Sequence, residues 1–208
     1  NVSFYNQSTI NNKTEPVFPT PTIGMLGLLE NKGTRTTLDF KNAGDLIYLI
    51  GESKNDISSS EYLYSFVGVK NSPAPYFDLE EEYNLQQLVA GLIKAGNVKS
   101  AHDISEGGLI VTLLESAFTN NKGFEVNTIG AALRTDAYWM GEAQSRVVVS
   151  CDAATVATIE AAAAKFGIAI SVLGKVNASD VVVNGENWGS IIEWKNNYDT
   201  AIEKQLAK

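Results

Sequence analysis

Ser100-Ala-His-Asp-Ile-Ser-Glu-Gly-Gly-Leu109 joins an extended apolar run to a helix through a glycine pair, and that join decides the fold class. Residues 99–104 read as a strand. After them Ile110, Leu113, Leu114, Ala117 and Phe118 repeat at i, i+3, i+4, i+7 and i+8, the apolar stripe of an amphipathic helix. Ser105 is an N-cap residue type, and glycines at a helix start let backbone N–H groups approach a ligand closely. Helix N-termini favour negative charge. Ser105, Gly107 and Gly108, with Asp103 and the chain's one histidine, His102, therefore form a candidate phosphate or carboxylate site. The same turn also serves simply to pack a helix on a strand, and His102 beside Asp103 equally fits a hydrogen-bonded structural histidine.

Outward from this turn the α/β pattern continues. Leu46–Ile50 reads as a buried strand ended by Gly51, residues 54–60 as a polar loop and residues 61–67 as a short helix. Asp78 and Glu81 supply an Asp-x-x-Glu capping box for a helix that buries Leu85, Leu88, Val89, Leu92 and Ile93. Residues 125–129, 146–150, 169–175 and 181–184 read as strands, the last two in a hairpin-like group. Residues 153–166 form an Ala-rich helix ended by Gly167, and residues 198–206 a closing amphipathic segment. This order predicts an α/β (α+β mixed) fold, a layered mixed sheet with packed helices, over a strictly parallel sheet. No Gly-x-Gly-x-x-Gly or Walker loop is present.

Residues 1–34 read differently. A strand end at 2–5 leads into a polar loop over 6–15. The Pro16, Pro19 and Pro21 cluster then precedes the apolar run 23–29, which fits a buried strand. Residues 31–34 read as a turn or linker. The opening, Asn1-Val-Ser-Phe-Tyr-Asn6, lacks a methionine and reads as a piece of a longer protein.

The 208 residues, 44% of them hydrophobic, suffice for a substantial core. The sequence lacks the roughly 18 uninterrupted apolar residues of a membrane span, and no basic, apolar leader pattern is read, so no membrane partner is expected. A net charge of −8 argues against nucleic acid, which calls for a basic stripe. The single cysteine, Cys151, follows an apolar strand and reads as a core residue in a reducing, cytoplasmic setting.

Two further constellations carry chemistry. In Trp139-Met-Gly-Glu-Ala-Gln-Ser-Arg-Val147, residues Glu142, Gln144 and Arg146 share a face if the backbone is extended. Arg146 can hold a phosphate or carboxylate, and Glu142 can accept hydroxyls or pair with the arginine inside an interface. At the start of the chain, Asn1 offers a hard oxygen of the kind Mg2+ prefers, with Ser3 on the same face.

Asn1-Val-Ser-Phe-Tyr-Asn6, Pro19-Thr-Pro-Thr-Ile-Gly24, Ser60-Glu-Tyr-Leu63, Ala101-His-Asp-Ile-Ser-Glu-Gly-Gly-Leu109 and Gly141-Glu-Ala-Gln-Ser-Arg146 occur in this order. Together they resemble the C-terminal part of the phosphoribosylformylglycinamidine synthase family, the large synthetase subunit of purine biosynthesis. That family lies within the aminoimidazole ribonucleotide synthetase-like superfamily. The chain departs from the family at Gln7-Ser8, where Glu-Thr is usual. The resemblance implies that residues 1–34 are the tail of the second N-terminal-type domain. Residues 35–208 are then the second C-terminal-type domain, partly ferredoxin-like in topology.

It further implies a ligase that uses ATP and Mg2+ to turn formylglycinamide ribonucleotide into the formylglycinamidine. The amide oxygen is phosphorylated, and ammonia from a glutaminase domain or subunit attacks the iminophosphate. The other partners it implies are the remaining synthetase domains and a small accessory subunit. Asn1 would be a Mg2+ ligand and Ser3 a substrate contact, while the catalytic residues lie outside this sequence. His102, Asp103, Ser105, Gly107, Gly108, Glu142, Gln144 and Arg146 would form an auxiliary nucleotide site or an interface. Two alternatives stand beside this one: a non-catalytic module completing the pseudo-symmetric assembly, and a related enzyme such as aminoimidazole ribonucleotide synthetase.

Overall fold

The computed structural model describes residues 6–17, 23–128 and 133–207. It divides into two compact units, Asn1–Lys32 and Gly33–Lys208. In the first unit, β1 (Gln7–Ile10) and β2 (Lys13–Pro16) pair as an antiparallel hairpin where a polar loop was expected. Asn11 and Asn12 turn it, both at positive φ (53° and 63°). Two central residues of positive φ make the tight turn whose twist matches paired strands, and asparagine tolerates that conformation. Residues 23–29, expected as a buried strand, have no regular structure, and Met25, Leu26 and Leu28 are exposed. A strand needs a ladder partner, and among the described residues none pairs with this run. The expected strand end at 2–5 and Pro19 and Pro21 lie outside the described residues.

The second unit is built on a seven-stranded mixed sheet. Its strands are β3 (Leu46–Ile50), β4 (Ser100–Asp103), β5 (Gly123–Val126), β6 (Val147–Cys151), β7 (Ile170–Asn177), β8 (Asp180–Val183) and β9 (Glu186–Ser190). They lie in the order β4-β6-β3-β7-β5-β8-β9, antiparallel throughout except for β5 beside β8. The expected β7–β8 hairpin is therefore not formed: β5 inserts between the two, and β8 turns back on β9 instead. A short π-helical turn, Tyr62–Phe66, takes the place of the expected helix at 61–67.

The central strand β3 is apolar at every position because both faces are covered. Ile47 and Leu49 face a core closed by α2 (Gly108–Phe118), α3 (Thr135–Met140) and α5 (Ile191–Asp199). Tyr48 and Ile50, on the alternate side, face α1 (Leu79–Lys94) and α4 (Val156–Phe166). The result is helices on both sides of a mixed sheet, as the sequence pattern predicts. In α1, Leu85, Leu88 and Leu92 are buried and Val89 and Ile93 pack partly against the same core. In α2, Ile110, Leu113, Leu114, Ala117 and Phe118 are all buried. Gly167 ends α4 in the left-handed conformation and Cys151 is a buried core thiol. Beyond β9 lies α5, with Ser190 as its N-cap, and then the short α6 (Ala201–Leu206).

Candidate functional site

The chain bends sharply where β3, α2 and the loop before β6 meet, and three glycines make the approach possible. A Cβ on Gly51 (φ +92°) would sit 2.1 Å from the Ser145 carbonyl oxygen. One on Gly108 (φ +70°) would sit 2.7 Å from the Trp139 carbonyl oxygen, and one on Gly141 2.5 Å from that of Asp56. Ser145 itself takes a positive φ of 62°, which breaks the extended path of the segment. Residues 142, 144 and 146 consequently do not share a face, contrary to the alternation expected for extended backbone.

Each of the three goes its own way. Glu142 is half-buried, and its Oε1 accepts 2.8 Å hydrogen bonds from the backbone N–H of Gly107 and of Glu61. Gln144 is exposed, and its backbone N–H reaches the Tyr76 carbonyl at 3.5 Å. Arg146 turns inward and is only 3% exposed. Its guanidinium donates to the carbonyls of Gly141 (2.7 Å) and Ala143 (3.0 Å) and to Ser53 Oγ (3.4 Å). Burial pushes its pKa down to about 10, with the Tyr138 and Glu142 charges working weakly the other way. The Glu142–Arg146 ion pair considered from sequence does not form: Glu142 faces backbone N–H groups and Arg146 faces backbone carbonyls.

The 105–108 turn also differs from expectation. Ser105 does not cap α2: it lies ahead of the helix and is exposed, and its carbonyl accepts from Gly108 N–H at 3.1 Å. Gly107, at φ +84°, holds the cap position and has no cap side chain. Two successive left-handed glycines delay the helix past the serine. The group that satisfies the Gly107 N–H is the Glu142 carboxylate, from 35 residues away. An anion thus sits where the helix N-terminus favours one, and the protein supplies it.

His102 and Asp103 stand apart from this cluster. His102 Nδ1 lies 3.2 Å from the Thr112 carbonyl and 3.1 Å from Ser116 Oγ, while Nε2 is 3.6 Å from Glu115 Oε2. The ring therefore ties β4 to the second half of α2, the structural role. Asp103 is exposed at the end of β4. Asn1 and Ser3 lie outside the described residues. Among the described residues no group of three or more His, Cys, Asp or Glu side chains is arranged to hold a metal ion.

Of the residues that complete the cluster, Ser53, Asp56 and Glu82 lie outside the motifs and Ser60 within one. Ser53 shares Arg146, and Glu82 Oε2 accepts from Ser145 Oγ at 2.7 Å, fastening α1 to the loop. Asp56 accepts from the N–H of Ser58 and of Tyr76, both at 2.8 Å. Burial works against its charge, yet those hydrogen bonds hold its carboxyl below the usual aspartate value. Buried Ser60 receives the Leu63 N–H and donates to the Ile57 carbonyl, shaping the turn that presents Glu61. Ser60-Glu-Tyr-Leu63 held this information, since it puts a small hydroxyl residue directly before the N–H that Glu142 takes.

This geometry lies within residues 42–184, which match the family described as AIR synthase related protein, C-terminal domain. The chain belongs to that family. Among curated relatives it is similar to phosphoribosylformylglycinamidine synthase subunit PurL of Caldanaerobacter subterraneus subsp. tengcongensis, 37% identical over 209 residues. That match takes in 94% of this chain and 28% of the relative. The same subunit of Chlorobaculum tepidum is 37% identical over 218 residues, covering 99% of this chain and 28% of the relative. The chain thus spans little more than a quarter of those relatives. In fold it is similar to Thermotoga maritima PurL complexed with FGAR, with a TM-score of 0.68 at 17% identity over 79% of this chain and 30% of that one. The ATP complex of that protein gives a TM-score of 0.62 at 16% identity, over 79% of this chain and 28% of that one.

Proposed function

We propose that this chain works as part of a phosphoribosylformylglycinamidine synthase, the ligase that forms formylglycinamidine ribonucleotide from formylglycinamide ribonucleotide, ATP and ammonia. The observation that carries the proposal is the 37% identity to relatives of that name across almost the whole chain. Support for the substrates comes from the Thermotoga maritima protein, whose structures include complexes with FGAR, ATP and ADP. A PurLQS assembly of that organism supports a glutaminase and a small accessory subunit as partners. Residues 1–34 then belong to the second N-terminal-type domain and residues 35–208 to the second C-terminal-type domain, working in the cytoplasm. In this scheme Asn1 is a Mg2+ ligand and Ser3 a substrate contact.

The share of residues 35–208 in that work is structural. Gly107 N–H, the donor an auxiliary nucleotide phosphate would take, is already held by Glu142, and the Arg146 guanidinium is spent on two carbonyls. This favours a domain that completes the synthetase assembly over one that binds its own nucleotide. His102, bound to the body of α2, has no part in proton transfer under this proposal.

The test is a chimera: the Caldanaerobacter subunit with its matching segment replaced by residues 1–208. It is expected to restore purine-independent growth to a bacterium lacking the subunit, and to need the glutaminase partner for glutamine-dependent activity. A folded, well-expressed chimera that neither restores growth nor turns over formylglycinamide ribonucleotide with ammonia would overturn the assignment.

A further inference from the structure

The segment between β3 and α1 exposes a set of large apolar side chains. Phe66 is 82% exposed, Leu79 74% and Tyr83 60%, with Phe77 and Tyr64 at about half. Leu79 and Tyr83 are spaced i, i+4 on the outer face of α1, opposite the buried Leu85, Leu88 and Leu92. Exposed apolar groups gathered in this way mark interaction surfaces more often than they mark accident.

Two observations place these side chains in one region. Glu61 N–H and the Tyr76 carbonyl are both bound to the loop before β6, through Glu142 and the Gln144 N–H. Ser59 N–H donates to Ser72 Oγ at 2.7 Å, and Ser59 Oγ to the Pro73 carbonyl at 2.8 Å, so the intervening loop folds back on its own start. The Phe66 ring, though exposed, is stacked on Tyr62 at 5.4 Å between centroids. A contact held in place before binding loses less freedom on docking.

Charge selects the occupant. Glu61, Asp78 and Glu80 are exposed among these apolar groups, while the two lysines there are engaged: Lys70 lies 3.7 Å over the Tyr64 ring, and Lys54 lies 4.8 Å over the Tyr76 ring and 3.6 Å from Glu81. A second copy of this chain, itself at −8, would bring one acidic rim against another, and like-charge juxtaposition is costly. We propose that residues 61–83 form a docking face for a protein surface with an apolar centre and a Lys/Arg rim, supplied by another part of the same synthetase. The identity of that partner rests on the proposed function. Because the face is hydrogen-bonded to Glu142 and Gln144, docking also fixes the loop before β6.

Hydrogen exchange in the free chain and in the chimera described above tests the proposal. Amides of residues 62–69 and 79–83 are expected to exchange at least about tenfold more slowly in the chimera, while those of α6 keep one rate in both. Phe66→Asp with Leu79→Glu, both at exposed positions, should abolish that slowing without changing the melting temperature of the free chain. Equal exchange in free chain and chimera would overturn the proposal, and so would a concentration-dependent dimer of the free chain that protects the same amides. A protected but inactive chimera would overturn the proposed function and leave the docking face standing. An active, unprotected one would do the reverse.

Discussion

The Glu142 carboxylate sits 2.8 Å from the backbone N–H of Gly107, at the opening of α2. The same oxygen takes the Glu61 N–H at 2.8 Å, so one side chain joins three stretches of backbone that are distant in sequence.

Glu142→Ala leaves both N–H groups without this acceptor. The Gly107 donor is half-buried and the Glu61 donor exposed, so water replaces the contact in part and the loss is at most about 2 kcal/mol in all. The expected result is a melting temperature lower by at most about 4–8 °C for a domain of this size. Glu142→Gln keeps an acceptor oxygen and should lose about half as much. Equal melting of wild type and Glu142→Ala would show that the contact contributes nothing.

Gly51 and Gly44 have nearly the same positive φ, +92° and +94°, but different surroundings. A Cβ at Gly44 meets open space, whereas one at Gly51 runs into the Ser145 carbonyl at 2.1 Å. Gly44→Ala should cost only about 1 kcal/mol of conformational strain. Gly51→Ala adds a clash with backbone and should cost upwards of about 3 kcal/mol. Urea denaturation of the pair separates the two effects, and similar losses would contradict the close approach.

Arg146 supplies a pH signature. Burial lowers its folded pKa to about 10, below its value in the unfolded chain. The unfolded state therefore binds the proton more tightly, and charged Arg146 costs stability at neutral pH. That cost is relieved as pH rises through 10. The stability of wild type relative to Arg146→Met should rise by about 1–2 kcal/mol between pH 9.5 and 11.5. A flat difference would show that the guanidinium keeps its charge through this range, contradicting the lowered pKa.

Lys99 should behave in the opposite sense. Burial works against its charge, but hydrogen bonds and ion pairs to Asp152 (2.5 Å) and Asp45 (2.7 Å) outweigh it and hold the ammonium above the usual lysine value. Its contribution is full below the ordinary lysine pKa and is lost as pH rises through the higher folded one. Lys99→Met leaves Asp45, 4% exposed, without its cation and should cost about 2–4 kcal/mol at pH 7. The difference from wild type should shrink above pH 11, as measured by urea titration at several pH values.

The helices and the central strands were legible because their signals are local. The i, i+3, i+4 stripe of α2, the apolar run of β3 and the Gly167 stop each state their role within a few residues. Half of the capping box at α1 was also legible: Asp78 accepts the Glu81 N–H at 2.8 Å. Its Glu81 side chain instead takes the Tyr76 hydroxyl, because a tertiary partner competes with the local one. Strand order was not legible, since β5 reaches the gap between β7 and β8 through long-range pairing. The 142–146 segment failed for a related reason. Its alternation presumes extended backbone, and the positive φ of Ser145 reverses the face just before Arg146. The β1–β2 hairpin was hidden by composition: its strands are exposed and polar, and Asn11-Asn12 was the available sign.

At the opening of α2 the Glu142 carboxylate takes the Gly107 N–H, the donor that a nucleotide phosphate would use at an auxiliary site. Calorimetric titration of the chain with ADP, with and without Mg2+, tests this directly. With Glu142 in that place, no saturable heat is expected in either condition. Saturable binding that disappears in Glu142→Ala or Arg146→Met proteins, still folded, would contradict it and make these residues a nucleotide site.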